Sequence, residues 1–323
     1  LISQAEKITQ HITIGGDMAE QERVAYFNGK IVPESQVLIS FRDRSFKYGD
    51  GVFDMTRTFG GRIFKLQEHI DRLYASLKYA GIDPGLSPAE MIQHSEEVVE
   101  RNLPLLKPNE DMWVGQRVSR GVDAVDGLFW QHSGPTVIIE CTPLPLQARA
   151  NLYRDGIEVV FPSNRRIPPE SLSPNVKSHN YLNMIIGDNE VRQYNTNAWA
   201  LLLDTRGFMA EGMGSNVFLV KQGRLYTPKL QYVLAGVSRQ TVVELAEKLN
   251  LTLVEEDLSP YDAFNADEAF LTSTSLCICP VVSFNGKTVA DGKVPGPITQ
   301  QLIDAYSDSV DCDFVEQYLQ YAT

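Results

Sequence analysis

The sequence predicts an α+β fold in two domains, and three observations carry that prediction. The chain has 323 residues, 43% hydrophobic and 22% charged, enough for two cores of ordinary size. Helical and strand-like segments alternate irregularly along it, which disfavours a regularly wound parallel sheet. Several strand-like runs are joined by tight-turn dipeptides and read as hairpins, the units of antiparallel sheet.

In chain order, "VAYFNGKIVP" places Asn-Gly between two apolar runs and predicts a first hairpin. "GVFDMTRTF" and "RIFKL", joined by Gly60 and Gly61, predict a second, since glycine reaches the positive φ that a tight turn needs. "LQEHIDRLYASLKYAGI" carries Leu66, Ile70, Leu73, Tyr74 and Leu77 at helical spacing and stops at Gly81. Ser87, Pro88 and Glu90 then form a capping box at the start of a second helix. "MWVGQRVSRG" and "PTVIIECTPL" read as strands, after which "TPLPLQARANLYRDG" breaks the pattern. We place an interdomain linker at 144–152. The expected divisions are thus an N-terminal extension 1–22, a smaller α/β domain 23–143 and a larger domain 153–323. In the larger domain, strand "IEVVFPS", helix "YLNMIIGDNEVRQYN", strands "AWALLLD" and "VFLVKQGRLYTP", helix "SRQTVVELAEKLN", and strands "LTLVEE" and "EAFLTST" follow one another.

A formal charge of −12 argues against a nucleic-acid partner, because phosphate binders concentrate lysine and arginine. No apolar run reaches the roughly 18 residues of a membrane helix, and the first residues lack the pattern of a secretory signal. The expectation is a cytoplasmic protein with a small-molecule substrate and no membrane or nucleic-acid partner. Cys277 and Cys279 would share one face of a strand; they read as small buried residues rather than a metal pair, since no further Cys or His completes a ligand set. No metal is expected.

Five segments carry candidate chemistry. Lys177, between a turn and an apolar-periodic helix, is either a solvated helix-start residue or a nucleophilic lysine, which needs partial desolvation. Gly236, Val237 and Ser238 open a helix and form either an N-cap or an anion site, where free backbone N–H groups and the helix dipole attract negative charge. Thr272 to Ser275 at a strand end either hold a phosphate or satisfy local backbone groups. Arg72 in "EHIDR" is a surface charge or reaches the same anion. Glu211 in "AEGMGSNVFLV" is, by itself, an acid in a glycine-rich turn.

Taken in order, "EHIDRL", Lys177 with "NY", "EGMGSNVFLV", "AGVSR" and "TSTS…P" resemble the class IV aminotransferases, pyridoxal-phosphate enzymes of fold type IV. The resemblance spans about Ala25 to Ser307. It implies a smaller N-terminal α/β domain and a larger C-terminal mixed β domain of the D-amino-acid aminotransferase type, with pyridoxal 5'-phosphate between them. By the same resemblance, Lys177 carries the cofactor and moves the substrate proton, Glu211 keeps the pyridine nitrogen protonated, and Tyr181 bonds the phenolic oxygen. Arg72, Val237, Ser238 and Thr274 hold the phosphate. Asn216 and Ser215 support the turn that aims Glu211.

On the substrate side the resemblance places Tyr48, Phe53, Met55, Arg57, Trp113, Gly115, Arg117, Ser275 and Leu276. Tyr48 and Phe53 match aromatic pocket residues of branched-chain enzymes. The chain departs from that group at Trp113, where a tyrosine is usual, and at Gly115, where bacterial members carry an arginine. It lacks the Arg-x-His pair of D-amino-acid enzymes. "RRIPPESLSPNVK" and "VPGPITQQLIDAY" look similar to (R)-selective amine transaminases, but Tyr48 replaces their histidine. The implied activity is ping-pong amino transfer from a branched-chain or other hydrophobic amino acid to a 2-oxo acid. The alternatives, in order, are an (R)-amine transaminase, then a D-amino-acid enzyme or an aminodeoxychorismate lyase, with a non-catalytic module on the same fold as the opposing class. Family members complete each site with a partner's loop, so a homodimer or higher oligomer is expected, with Trp130 a candidate for that loop.

Overall fold

The computed structural model describes residues 22–322, so all but one residue of the expected extension 1–22 lies outside the described residues. The first half is a six-stranded antiparallel sheet covered on one side by two helices. Its strands are β1 (Val24–Phe27), β2 (Lys30–Pro33), β3 (Gly51–Phe59), β4 (Arg62–Ile63), β5 (Met112–Ser119) and β6 (Thr136–Pro143), in spatial order β2-β1-β6-β5-β3-β4. Both expected hairpins form: Asn28 and Gly29 lie at φ 47° and 91°, Gly60 and Gly61 at 55° and 79°. A short helix α1 (Arg44–Tyr48) precedes β3; α2 (Leu66–Ala80) and α3 (Pro88–Asn102) follow β4.

Helix α2 buries Leu66, Ile70, Leu73 and Leu77, the stripe its periodicity predicts, and ends at Gly81 in the left-handed region. Helix α3 starts on the expected capping box, with the Ser87 side chain accepting from the Glu90 amide and the Glu90 carboxylate accepting from the Ser87 amide. Their apolar stripes meet Val52, Val114, Val118 and Ile139 of the sheet in one core.

The second half holds nine strands: β7 (Ile157–Val160), β8 (Trp199–Leu203), β9 (Met209–Gly212), β10 (Asn216–Lys221), β11 (Arg224–Pro228), β12 (Leu253–Glu256), β13 (Glu268–Ser273), β14 (Cys277–Phe284) and β15 (Lys287–Thr288). They run in the order β12-β11-β10-β13-β14-β7-β8-β9, with β15 beside β14, and mix parallel and antiparallel pairs. Helices α4 (Leu146–Asp155), α5 (Leu182–Tyr194), α6 (Val237–Lys248), α7 (Pro260–Phe264), α8 (Pro297–Val310) and α9 (Phe314–Leu319) surround this sheet. Its core gathers Phe218, Phe270, Phe284, Tyr306 and Tyr318, together with Phe59 from β3.

Three readings change on contact with the structure. The stretch 144–152, where the pattern breaks, is mostly helical: its prolines precede α4, and no capping side chain announces the helix. "VFLVKQGRLYTP" is a hairpin, not one strand, turned at Gln222 and Gly223 with φ of 50° and 74°. Helices α8 and α9 occupy a tail for which the sequence pattern predicts no element. Cys277 and Cys279 are both fully buried in β14, as expected of small apolar residues.

Candidate active site

Lys177 is positioned by the free edge of β3. Its backbone carbonyl accepts from the Phe53 amide at 2.9 Å, its own amide donates to Ser76 Oγ of α2 at 3.2 Å, and Ser178 bridges to Val52. The side chain is buried, with Nζ 3.1 Å from Tyr181 Oη and 4.6 Å from the Phe53 ring centroid. Partial desolvation beside an aromatic face is the setting that the nucleophilic reading requires, so the solvated helix-start alternative falls away.

Around this amine the fold gathers every residue expected on the cofactor side. Arg72, Lys177, Tyr181, Glu211, Val237, Ser238 and Thr274 line one cavity. Arg72 comes from α2, where Asp54 of β3 grips it from below: Nε and Nη2 each donate to the Asp54 carboxylate at 2.8 Å. His69 Nδ1, one turn back on α2, lies 2.7 Å from the same carboxylate. Asp54 is fully buried, yet Arg72 and His69 hold it well below the usual carboxylate range. Burial pushes His69 down, so it stays neutral and donates from Nδ1. The remaining Arg72 nitrogen, Nη1, donates to the Ala235 carbonyl at 3.0 Å, tying α2 to the turn before α6.

That turn is tight. A Cβ on Gly236 would stand 2.2 Å from Asn216 Oδ1, and Asn216 is itself held by its Nδ2 donating to the Leu234 carbonyl at 3.0 Å. Glycine is required here by close approach, which brings the uncapped N-terminus of α6 to the cavity wall.

Glu211 is the last residue but one of β9 and is buried. Its Oε1 accepts from Arg166 Nε at 2.9 Å and its Oε2 from the Leu234 amide at 2.9 Å. Burial pushes its carboxyl up, while Arg166, the Leu234 amide and Lys177 pull the other way. Burial is the larger influence and the net shift is upward, so Arg166 and the Leu234 amide are what hold this buried carboxyl in place on the cavity wall.

The substrate-side expectations divide. Phe53 stacks beside His179 and Tyr181, and the Arg117 guanidinium lies 5.2 Å from its ring centroid while bonding Glu140 at 2.7 Å. The Met55 carbonyl accepts from Thr274 Oγ1 at 3.0 Å, and the Met55 side chain fills the space over Gly115. Of these, Phe53 touches Lys177 and Met55 touches the cavity-lining Thr274, while Arg117 and Gly115 reach the site only through them. Arg57 does not border the Lys177 region: it is wholly buried, donating to Gln317 Oε1 at 2.7 Å and facing Phe59 and Asp111. Leu276 is a core residue, and Tyr48 is half exposed against Phe129. Trp113 and Ser275 instead meet Arg149.

Sequence reasoning missed Arg166, Asp54 and His69. Asp54 had a signal, a lone acid within an apolar strand run ahead of "EHIDR". Arg166 lies in an irregular loop, and only its partner Glu211 reveals it.

Whether these residues suit pyridoxal phosphate can be judged from the groups they leave open. Ser215 Oγ and Thr272 Oγ1 line the cavity, are buried, and have no hydrogen-bond partner among the described residues; with an uncapped helix end and a fixed guanidinium they suit a phosphate. A buried carboxylate and a buried amine complete the fit to a cationic ring nitrogen and an aldehyde.

Residues 51–284 match the family model for amino-transferase class IV. The chain is 39% identical over 287 residues to a putative branched-chain-amino-acid aminotransferase of Methanocaldococcus jannaschii, covering 88% of this chain and 95% of that one. It is 30% identical to a D-alanine aminotransferase of Bacillus licheniformis, over 88% and 96% of the two chains. The T.th. branched-chain amino acid aminotransferase complexed with N-(5'-phosphopyridoxyl)-L-glutamate superposes with a TM-score of 0.80 at 25% identity, over 93% and 96%. The chain therefore belongs to the class IV amino-transferases, enzymes that work with pyridoxal phosphate.

Proposed function

We propose that the enzyme moves the amino group of a branched-chain or other hydrophobic amino acid to a 2-oxo acid, in two half-reactions on one site. The observation that carries the reading is the buried Lys177 amine, 3.1 Å from Tyr181 Oη and packed on Phe53, in a cavity shared with Glu211 and Arg72. Pyridoxal phosphate supplies the carbonyl that takes up the amine and the ring that draws electrons from the substrate carbon.

The chain's own residues do the rest. Arg72, the N-terminus of α6 at Val237 and Ser238, and Thr274 would hold the phosphate. Glu211, kept in place by Arg166 and the Leu234 amide, would hold the proton on the ring nitrogen. Lys177 Nζ takes the α-proton of the donor and returns one during the second half-reaction, and Tyr181 Oη steadies the amine between those transfers. Phe53 and Met55 give the donor side chain an apolar wall, which is why hydrophobic donors are the first choice.

A second copy belongs to this proposal. Val125, Leu128, Phe129 and Trp130 on the loop 122–133, with Phe46 of α1, are more than half exposed. Leu182, Ile185 and Ile186 stand out from α5. Apolar surface this concentrated on an acidic chain is covered in the working molecule, and a homodimer covers it. None of the described helices is long and apolar enough to cross a membrane. Four unpaired cysteines, three of them buried, suit a reducing compartment, on which the cytoplasmic reading rests.

The test is a half-reaction panel: L-leucine, D-alanine and (R)-1-phenylethylamine offered to the cofactor-loaded protein, with the visible spectrum followed. L-leucine is expected to react fastest. The D-alanine aminotransferase among the relatives supports a D-amino-acid enzyme as the second reading, and reaction with D-alanine but not L-leucine would install it.

A further inference from the structure

The two arginines that line the Lys177 cavity, and Arg117 and Arg120 in the first half of the chain, are neutralised. Arg72 grips Asp54, Arg117 holds Glu140, Arg120 holds Asp50 and Arg166 holds Glu211, each at 2.7 to 2.9 Å. Arg149 is different. It stands on α4, and among the described residues no carboxylate comes within ion-pair distance of it. Its guanidinium lies instead against two indoles, 5.3 Å from the Trp113 ring centroid and 5.6 Å from that of Trp199, and Nη1 donates to Ser275 Oγ. Aromatic faces attract a cation and keep water from it, yet they supply no counter-charge. Of five in-plane N–H donors, one is bonded within the chain, and the hydroxyl it bonds keeps its own proton to donate.

Two turns connect this group with the Lys177 cavity. Ser273 and Thr274 line the cavity, and Ser275 follows them directly. Gly214 also lines the cavity, and Met213 before it borders the solvent-open groove in which Arg149 lies. Asp155, Glu158 and Asp188 border that groove too, without reaching Arg149.

We infer that Arg149, with the Ser275 hydroxyl, binds the carboxylate of both the amino-acid donor and the 2-oxo acid acceptor. The inference rests on the aminotransferase reading of the Lys177 cavity and names the group that selects amino acids over plain amines. A carboxylate is the ion whose two oxygens match the in-plane fork.

Titration calorimetry of the cofactor-loaded protein with 4-methylpentanoate, a carboxylate without an amino group, reads the site without turnover. Arg149→Gln should weaken that binding by about 10- to 100-fold, the range for a charge-assisted hydrogen bond, and Arg149→Lys should restore part of it. In turnover, R149Q should raise KM for L-leucine by a similar factor with a smaller change in kcat, while 3-methylbutylamine, leucine without its carboxylate, loses far less. Folded R149Q that binds 4-methylpentanoate as tightly as wild type overturns the inference. Should R149Q not fold, wild type decides it: the neutral 4-methylpentanamide must bind at least about tenfold more weakly than the acid, and equal binding overturns the inference. A wild type that converts no amino acid but binds the acid through Arg149 would sink the aminotransferase reading alone.

Discussion

The carboxylates proposed to secure the cofactor and the arginine proposed to hold the substrate carboxylate differ in how they are partnered. On the proposed cofactor side both buried carboxylates are held by more than one donor: Asp54 by Arg72 and His69, Glu211 by Arg166 and the Leu234 amide. On the proposed substrate side Arg117 is paired with Glu140, but Arg149 meets aromatic faces and a hydroxyl and, among the described residues, no carboxylate; Tyr48 is half exposed, and Phe129 and Trp130 are exposed. Paired charges fix geometry at the cost of adaptability. On the proposed reading, the chemistry is fixed by the chain's own paired groups, whereas donor choice falls to a group whose counter-charge comes from the substrate.

Substitutions can sharpen this contrast. The largest effect is expected from Lys177→Ala, which should lower amino transfer by at least about 10⁴-fold, the upper range for positioned proton transfer, and abolish the visible band of the bound cofactor in the absorption spectrum. Glu211→Gln should lower kcat by about 100-fold or more, because it removes the buried anion and leaves Arg166 without its counter-charge; stopped-flow half-reactions would show it. Asp54→Asn touches no substrate, yet breaking a buried pair costs about 3 to 5 kcal/mol, so urea unfolding should shift strongly and cofactor affinity should fall as Arg72 loosens. Native-like stability in D54N would show that the cofactor half does not depend on its paired charges.

Smaller effects belong to the other half. Trp130→Ala should leave protomer stability within about 0.5 kcal/mol while weakening self-association by about tenfold or more, as sedimentation would report. His179 tests acid sensitivity. Burial and the Arg117 charge lower its pKa from 6.5 to about 4, so between those values the unfolded chain binds a proton that the folded chain refuses. Its contribution therefore lowers stability as pH falls from about 6.5 toward 4 and is constant above that window. Thermal melts at pH 7 and 5, wild type against His179→Gln, should show a smaller drop in the variant.

Much of the architecture was legible because it is written locally. Asn28-Gly29, Gly60-Gly61, the Ser87 capping box and the stripe of α2 each fix an element through neighbours within four residues. That Arg72, Lys177, Tyr181, Glu211, Val237, Ser238 and Thr274 gather around one cavity was legible for another reason, the order of five short motifs. What escaped was set by distant contacts. Arg57 resembles a site residue in sequence, but its fate is decided by Gln317, 260 positions away. Arg149 sits in a segment whose prolines masked a helix, and only folding shows that Trp113 and Trp199 flank it.

Strand β3 places both halves of the site within one stretch of extended chain. Phe53, Met55 and Arg57 point one way, toward the donor wall and the larger core, while Asp54 points the other way, to Arg72. Odd and even positions thus answer to different demands. Natural variation can rewrite the odd addresses, one substitution at a time, without disturbing the even one that secures Arg72. A single inserted or deleted residue has no such freedom, since shifting the register by one would swap the two faces and void both at once.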